Sequence, residues 1–427
     1  MQELALHDLL ETILSLTYRA IHLAQTIRLQ PQLFALLIEE KTDEHKNQRF
    51  VQDFKTLADV LIQEMVRYEL ETKFPGLHGA VFGEESAEFA NPNKPSDHIS
   101  VAVNDDKQSL IERLTVVLDG DAGAAKLLTD AVTSVGSDET LKESVQLLLK
   151  EKCSENDKLP PLGIWIDPID GTNVYISGKP QQSNNCNPTA STEVEIARDS
   201  LECVTVLIGV FDKQSQLPLL GVIGRPYPRA EYGRFNQTAI WGFATESQKC
   251  HNLCHQAVTC RNTTDGLIIL HSASEDLTNC DSNLAKLAKA PNVIMVAAAG
   301  AGHKLSCVAV GAAHIYICTK PNTFQWDTCG PHAVLLSLGG GVVSWQWFLD
   351  NACKGYISPT DDSNAGDISS RSDSDWSELG KMCMANQLRY FTKSSDDVDV
   401  GRYANADGVV AYASLECLAG VACLLKD

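Results

Sequence analysis

Three things are missing from this 427-residue sequence: a C-x-x-C pair, a long apolar run and a surplus of basic residues. None of the 14 cysteines pairs as C-x-x-C, so they read as the reduced, buried small hydrophobes of a cytoplasmic protein. Cys250, His251, Cys254, His255 and Cys260 crowd together, yet a single C-x3-C lacks the second half of a tetrahedral zinc site. An ordinary outer segment is expected there. No apolar stretch approaches the roughly 18 residues that span a bilayer. The opening MQELALHDLLETIL carries early acids instead of the basic start of a signal peptide. The absence of an internal repeat sets aside a solenoid. Lys plus Arg number 35 against 55 Asp plus Glu, a formal charge of −20, which argues against nucleic acid and anionic membrane as partners. An anionic substrate would need a bound cation to reverse the sign locally.

What is present is an ordinary globular composition, 44% hydrophobic and 21% charged. The length suits two domains without disulfide staples. Polar residues collect near 245–262, so the expected division is an N-terminal α+β domain over 1–250, carrying the candidate metal motifs, and a C-terminal α/β domain over 251–427 that closes the site. Residues 1–40 have apolar positions at helical spacing, and a second stripe at 57, 60, 61, 65 and 68 ends at Pro75-Gly76. Residues 91–108 look irregular, and a further helical stretch covers 107–150. A strand from Gly163 is expected to stop at Asp167-Pro168, because proline cannot donate to a ladder. Residues 203–211 and 219–226 read as consecutive antiparallel strands. Beyond them, strands at 266–270, 292–299 and 314–318 alternate with helices over 276–290, 303–311 and 328–338, which indicates an α/β layer. Residues 409–414 form a last strand. Residues 177–199 have loop composition, and the Ser/Asp-rich stretch 358–378 reads as a flexible surface insertion.

Four acidic segments place carboxylates at turns or element ends. In DFKTLADVL, Thr56 and Asp59 have capping-box spacing; Asp59 is either a cap or a carboxylate that polarises water through a hydroxyl. In FGEES, Glu84 and Glu85 follow a turn glycine and point in different directions. In WIDPIDGT, Asp167 and Asp170 are close enough to repel unless a proton or cation intervenes. That cluster suits Mg²⁺, with the Ile169 carbonyl as a further oxygen ligand and Thr172 offering a hydroxyl to water; ordinary turn chemistry is the alternative. In WDTCGPHAVLLSLGGG, Asp327 stands where an N-cap belongs, and Gly339 to Gly341 stop the helix. A fifth segment, AAAGAGHKLSC, runs small residues into a helix, with Gly300 to Gly302 open to a ligand and Lys304 available to phosphate.

As an ordered set, Asp59, GEES, DPIDGT and WD followed by a helix and GGG resemble the magnesium-dependent, lithium-sensitive phosphomonoesterases of the inositol monophosphatase superfamily. FALLIEEK, DFKTLADVLIQE, KFPGLHGAVFGEESAEF, LGIWIDPIDGT, CVTVLIGVFD and AGAGHKLSCVAVG are similar to its polyphosphate-hydrolysing branch, over most of residues 30–345. The resemblance implies a layered α/β/α/β/α sandwich of the inositol monophosphatase and fructose bisphosphatase type. It implies two or three Mg²⁺ ions on Glu84, Asp167, the Ile169 carbonyl, Asp170 and Asp327, and Li⁺ as an inhibitor. Asp59 and Thr172 would activate the water, and Asp170, Gly171, Thr172, Ser274, Gly300, Ala301 and Lys304 would contact substrate. The implied reaction removes the 1-phosphate of inositol 1,4-bisphosphate and inositol 1,3,4-trisphosphate, in a monomer whose partners are small inositol phosphates of phosphatidylinositol signalling. Two features depart from the pattern: Asp276 stands where a basic residue is expected, and the 177–199 loop is unusually polar. A 3′(2′),5′-bisphosphate nucleotidase with the same metal centre is the rival enzyme. A non-catalytic Mg²⁺- or phosphoinositol-binding protein is the rival from another class.

Overall fold

The computed structural model describes residues 5–29, 38–40, 54–91, 94–133, 159–179, 196–228, 238–253, 266–279, 282–352, 373–392 and 400–426. Two helices open the chain, α1 (Leu6–Arg28) and, after the short antiparallel pair β1 (Ile38–Glu40) and β2 (Phe54–Thr56), α2 (Leu57–Lys73). The helix expected over 1–40 therefore ends at Arg28, and Ile38 to Glu40 are extended. The capping box forms as the spacing predicts: Thr56 N–H donates to Asp59 Oδ2 at 2.7 Å, and the Asp59 N–H points back at Thr56 Oγ1.

Strands β3 (Val81–Gly83), β4 (Glu88–Asn91) and β5 (Lys94–Ser100) follow, then α3 (Lys107–Val117) and α4 (Ala122–Thr133). The stretch 91–108, expected to be irregular, thus contains a strand, because β5 pairs antiparallel with β4. The first large sheet adds β6 (Leu162–Asp170), β7 (Thr205–Asp212), β8 (Pro218–Gly224), β9 (Ala239–Ala244) and β10 (Lys249–His251) in the order β10-β9-β8-β7-β6-β3. All its pairings are antiparallel except β3 with β6.

Strand β6 does not stop at Pro168, and the short helix α5 (Thr172–Ser177) follows it. The strand runs to Asp170 with a register shift: Asp167 faces Leu207 and Asp170 faces Thr205, three steps on β6 against two on β7. One extra residue is a bulge, and a bulge is where a sheet tolerates proline. Of the cysteine–histidine group, Cys250 and His251 sit on edge strand β10. Cys254, His255 and Cys260 lie outside the described residues, as do 134–150 and 180–195.

The second sheet, in the order β12-β11-β13-β15-β14, is built from β11 (Leu267–His271), β12 (Val293–Ala297), β13 (Ile315–Cys318), β14 (Gly341–Ser344) and β15 (Val409–Tyr412). Its first three strands are parallel, and β15 is antiparallel to both neighbours. Between them run α6 (Asn283–Lys289), α7 (Ala301–Ala309), α8 (Gln325–Ser337), α9 (Asp373–Ala385) and the terminal α10 (Leu415–Leu424). The helix expected over 276–290 starts only at Asn283. Asp276 is bound in a turn by the Thr278 N–H at 2.8 Å, and Ser282 supplies the cap to Ala285 N–H at 3.1 Å. Of the expected insertion at 358–378, residues from Asp373 onward are helical in α9; 358–372 lie outside the described residues.

The layers follow from strand periodicity. On β7, Val206 and Ile208 join the core formed with α1, α2 and α4, whereas Leu207 between them joins the core formed with α7 and α8. On the second sheet, Leu270 and Tyr316 face that same middle helix layer, and Ile269 and Ile315 face α6, α9 and α10. The result is α/β/α/β/α. Helix α8 lies unusually deep, with every residue buried. Gly209, Gly221 and Gly242 stand side by side across β7, β8 and β9 and form the trough for it. A Cβ on Gly209 or Gly221 would overlap the backbone of Gly330, and one on Gly242 would overlap Ser337.

Candidate active site

The bulge in β6 decides the geometry of the site. Side chains alternate along a strand, so residues three apart normally face opposite ways. The extra residue restores the parity, and carboxylate oxygens of Asp167 and Asp170 lie within 4.8 Å of each other and of one from Asp327. Asp327 arrives on the first turn of α8. It occupies the third helical position, not the N-cap expected from sequence: its Oδ2 accepts the N–H of Phe324, the actual cap residue, at 2.6 Å. The C-terminal stop is as expected, with Gly339 at φ +90° and its N–H on the Leu336 carbonyl.

Asp170 is the most heavily bonded of the three. Its Oδ1 accepts Ala301 N–H at 3.1 Å, and its Oδ2 accepts Gly302 N–H at 2.8 Å and Thr205 Oγ1–H at 2.9 Å. It therefore caps α7 across 131 residues of sequence. This demands glycine at 300, where φ is +69° and a Cβ would press on the Cys203 carbonyl and Asp170. Asp167, by contrast, has a buried Oδ1 with no hydrogen-bond donor among the described residues. Burial raises the Asp167 carboxyl well above its usual range, and Glu84, Asp170 and Asp327 push it further. Burial likewise raises Asp327, with Asp170 next. Asp170 is raised by burial but held back chiefly by Lys304.

These groups line one cavity of about 630 Å³. Of the residues expected from sequence, Glu84, Asp167, Ile169, Asp170, Gly171, Thr172, Ser274, Gly300, Ala301, Lys304 and Asp327 all line it. Asp59 does not. It is buried, with Oδ2 held by Thr56 Oγ1 at 2.6 Å and Oδ1 without a partner among the described residues. The structure shows no hydrogen bond between Asp59 and Thr172; Thr172 Oγ1 instead donates to the Ile169 carbonyl at 3.0 Å. Lys304 is no free phosphate arm: its ammonium is buried and donates to the carbonyls of Ala298 (3.0 Å) and Gly300 (2.6 Å). Glu84 and Glu85 part as expected. Glu84 faces the cavity, and Glu85 exchanges backbone bonds with the Gln63 amide in a smaller neighbouring pocket. Asp276 is exposed, bonded to Thr278, and not part of the cavity wall.

Sequence reasoning missed several wall residues, among them Arg198, Ser272, Asn322 and Thr323. Arg198 had one usable signal, as the only basic residue between Lys179 and Lys213. The donor set fits a hard divalent cation. It is all oxygen, clustered and buried, and the unpaired Oδ1 of Asp167 requires a proton or a cation beside it. Among the described residues no helix is long and apolar enough to cross a membrane.

Comparison with known proteins agrees with this chemistry. The family model described as the inositol monophosphatase family matches residues 112–348. Inositol polyphosphate 1-phosphatase of Mus musculus is 35% identical over 81% of this chain and 85% of its own length. The Homo sapiens protein of that name is 32% identical over 95% of this chain and 94% of its own. The 3′(2′),5′-bisphosphate nucleotidase 1 of Rattus norvegicus is 26% identical over 67% of this chain and 70% of its own. On the family match, these identities and the buried carboxylate cluster, the chain belongs to the inositol monophosphatase family of metal-dependent phosphomonoesterases.

Proposed function

We propose that this chain removes the 1-phosphate from inositol 1,4-bisphosphate and inositol 1,3,4-trisphosphate. The observation that carries the reading is the convergence of Asp167, Asp170 and Asp327 in one cavity, with an Asp167 oxygen left unpaired. The choice of inositol polyphosphate rests on the relatives named inositol polyphosphate 1-phosphatase, which match at higher identity and over more of the chain than the nucleotidase does.

Glu84, Asp167, Asp170, Asp327 and the Ile169 carbonyl are the residues we assign to Mg²⁺. When bound, the ion neutralises phosphate charge and lowers the pKa of water. The protein's own contributions are positional. Asp170 is fixed by three donors, so the wall it shares with Ala301 is held in place. Gly171, at φ +87°, turns the chain from β6 into the short helix Thr172–Ser177. That turn sets the Thr172 hydroxyl at the cavity, where we assign it to hold the attacking water. Asp59 is its proposed partner, with Oδ1 available and Oδ2 fixed by the cap. Lys304, beside Asp170, offsets part of the negative charge from within the wall. Gly300, Ala301 and Ser274 complete the proposed substrate surface.

Phosphate release from inositol 1-phosphate, the two inositol polyphosphates and adenosine 3′,5′-bisphosphate, each with Mg²⁺, with chelator and with Li⁺, tests the reading. Turnover of the inositol polyphosphates that stops with chelator is expected. Preference for the nucleotide would replace this reading with the nucleotidase. Binding without any turnover would make the chain a non-catalytic binder.

A further inference from the structure

Among the described residues the cavity wall carries five carboxylates, on Glu84, Asp167, Asp170, Asp199 and Asp327, and only two cationic side chains, on Arg198 and Lys304. Lys304 is committed. It is buried, donates to two carbonyls, and lies 5.2 Å from the Tyr316 ring centroid. Asp199 is offset by Lys179 at 2.9 Å. The exposed guanidinium of Arg198 makes no ion pair or side-chain hydrogen bond among the described residues. Lys320, the next cation, is outside the wall and donates to the Ser274 carbonyl.

The backbone carrying Arg198 is pinned on both sides of the residue's Cα. The Arg198 carbonyl accepts Ala299 N–H at 2.8 Å, in the segment leading to the Gly300 turn. The preceding carbonyl, of Ala197, bonds His303 Nε2 at 2.9 Å on α7. Burial lowers the His303 pKa to about 3, so the ring is neutral, and the bond to a carbonyl fixes its proton on Nε2. A fixed backbone under a free, exposed guanidinium costs little to organise around a ligand. In the function proposed above, the carboxylate cluster would hold a cation for the reacting phosphate, which leaves Arg198 for anionic groups elsewhere on the same substrate. Its planar fork matches two phosphate oxygens.

We propose that Arg198 binds a second, non-reacting phosphate of the substrate and so sets the preference for bisphosphates over monophosphates. This deepens the function proposed above and rests on its placement of the reacting phosphate. The test compares wild type, Arg198→Gln and Arg198→Lys by kcat/KM on inositol 1,4-bisphosphate against inositol 1-phosphate, and on adenosine 3′,5′-bisphosphate against 3′-AMP. Arg198→Gln is expected to lower the bisphosphate-to-monophosphate ratio about tenfold, mainly through KM, the scale of one charge-assisted hydrogen bond. Arg198→Lys should recover part of it. An unchanged ratio in the substrate pair that wild type prefers overturns the proposal, as does equal loss on both members. If wild type acts on the nucleotide and not the inositol pair, the inositol reading fails while the nucleotide ratio still decides Arg198. No preference for a bisphosphate in either pair defeats the role of Arg198 outright.

Discussion

Asp167 and Asp170 face the same cavity although three residues of one strand separate them, because a single extra residue opposite Leu207 and Thr205 corrects the alternation. The two carboxylates nevertheless differ in kind. Asp170 accepts three donors and builds the wall; Asp167 has an oxygen that nothing among the described residues satisfies. Their substitutions should therefore separate in sign.

Asp170→Asn replaces an acceptor oxygen with an NH₂ group that must face N–H or O–H donors. One of the bonds from Ala301, Gly302 or Thr205 is lost and a buried donor is left unmet, a cost of about 1–3 kcal/mol. Thermal melts in chelator are expected to show lower stability for this variant. A melting temperature equal to wild type would refute the capping role.

Asp167→Asn should do the opposite in the absence of divalent cation. Burial, and then Glu84, Asp170 and Asp327, raise the Asp167 carboxyl above 3.8. Between that value and the raised one, the folded state holds more protons than the unfolded state. This group's contribution to stability therefore falls as pH rises through the window. At pH 7 in chelator, Asp167→Asn is expected to melt higher by roughly 1 kcal/mol or more, with a flatter pH dependence from pH 4 upward. Mg²⁺ should stabilise wild type more than the variant, and phosphatase activity should drop by at least about 100-fold. Near wild-type turnover in Mg²⁺ would remove Asp167 from the metal set.

Thr172→Ala deletes the hydroxyl that donates to the Ile169 carbonyl at the cavity wall. If that hydroxyl holds the attacking water, kcat should fall by about 10²-fold or more, with a melting shift within about 1 kcal/mol. Unchanged kcat would assign the hydroxyl to the local turn alone.

Gly221→Ala probes the trough that seats α8. Its Cβ would meet the Gly330 carbonyl, which belongs to a buried helix backbone and cannot rotate away. Destabilisation of about 3 kcal/mol or more is expected, or failure to accumulate as folded protein. Gly76→Ala, with nothing within 4 Å of the added atom, is the control. Equal melting of the two variants would show that α8 can lift off the sheet.

Much of this molecule is legible in one dimension. Helix α2, its Thr56–Asp59 cap, strands β7 and β8 and the strand–helix alternation of the second half follow from apolar spacing and local capping chemistry, which act over a few residues. The strand at Lys94–Ser100, the break before Asn283 and the continuation of β6 past Pro168 were not legible, because each depends on a pairing partner or a turn that overrides local propensity. The carboxylates of DPIDGT could be read as metal-seeking from their chemistry, and that of WD joined them only through the family resemblance. Their division of labour could not. Whether a carboxylate caps a distant helix, as Asp170 does, or stays unpaired, as Asp167 does, depends on which N–H groups the fold delivers to it. The same holds for Arg198, an isolated cation in sequence that a bond from Ala299 and another from His303 bring to the cavity wall. Sequence fixes which side chains carry charge; the bulge, the glycine trough and the meeting of the α7 N-terminus with Asp170 at the end of β6 decide which charges meet.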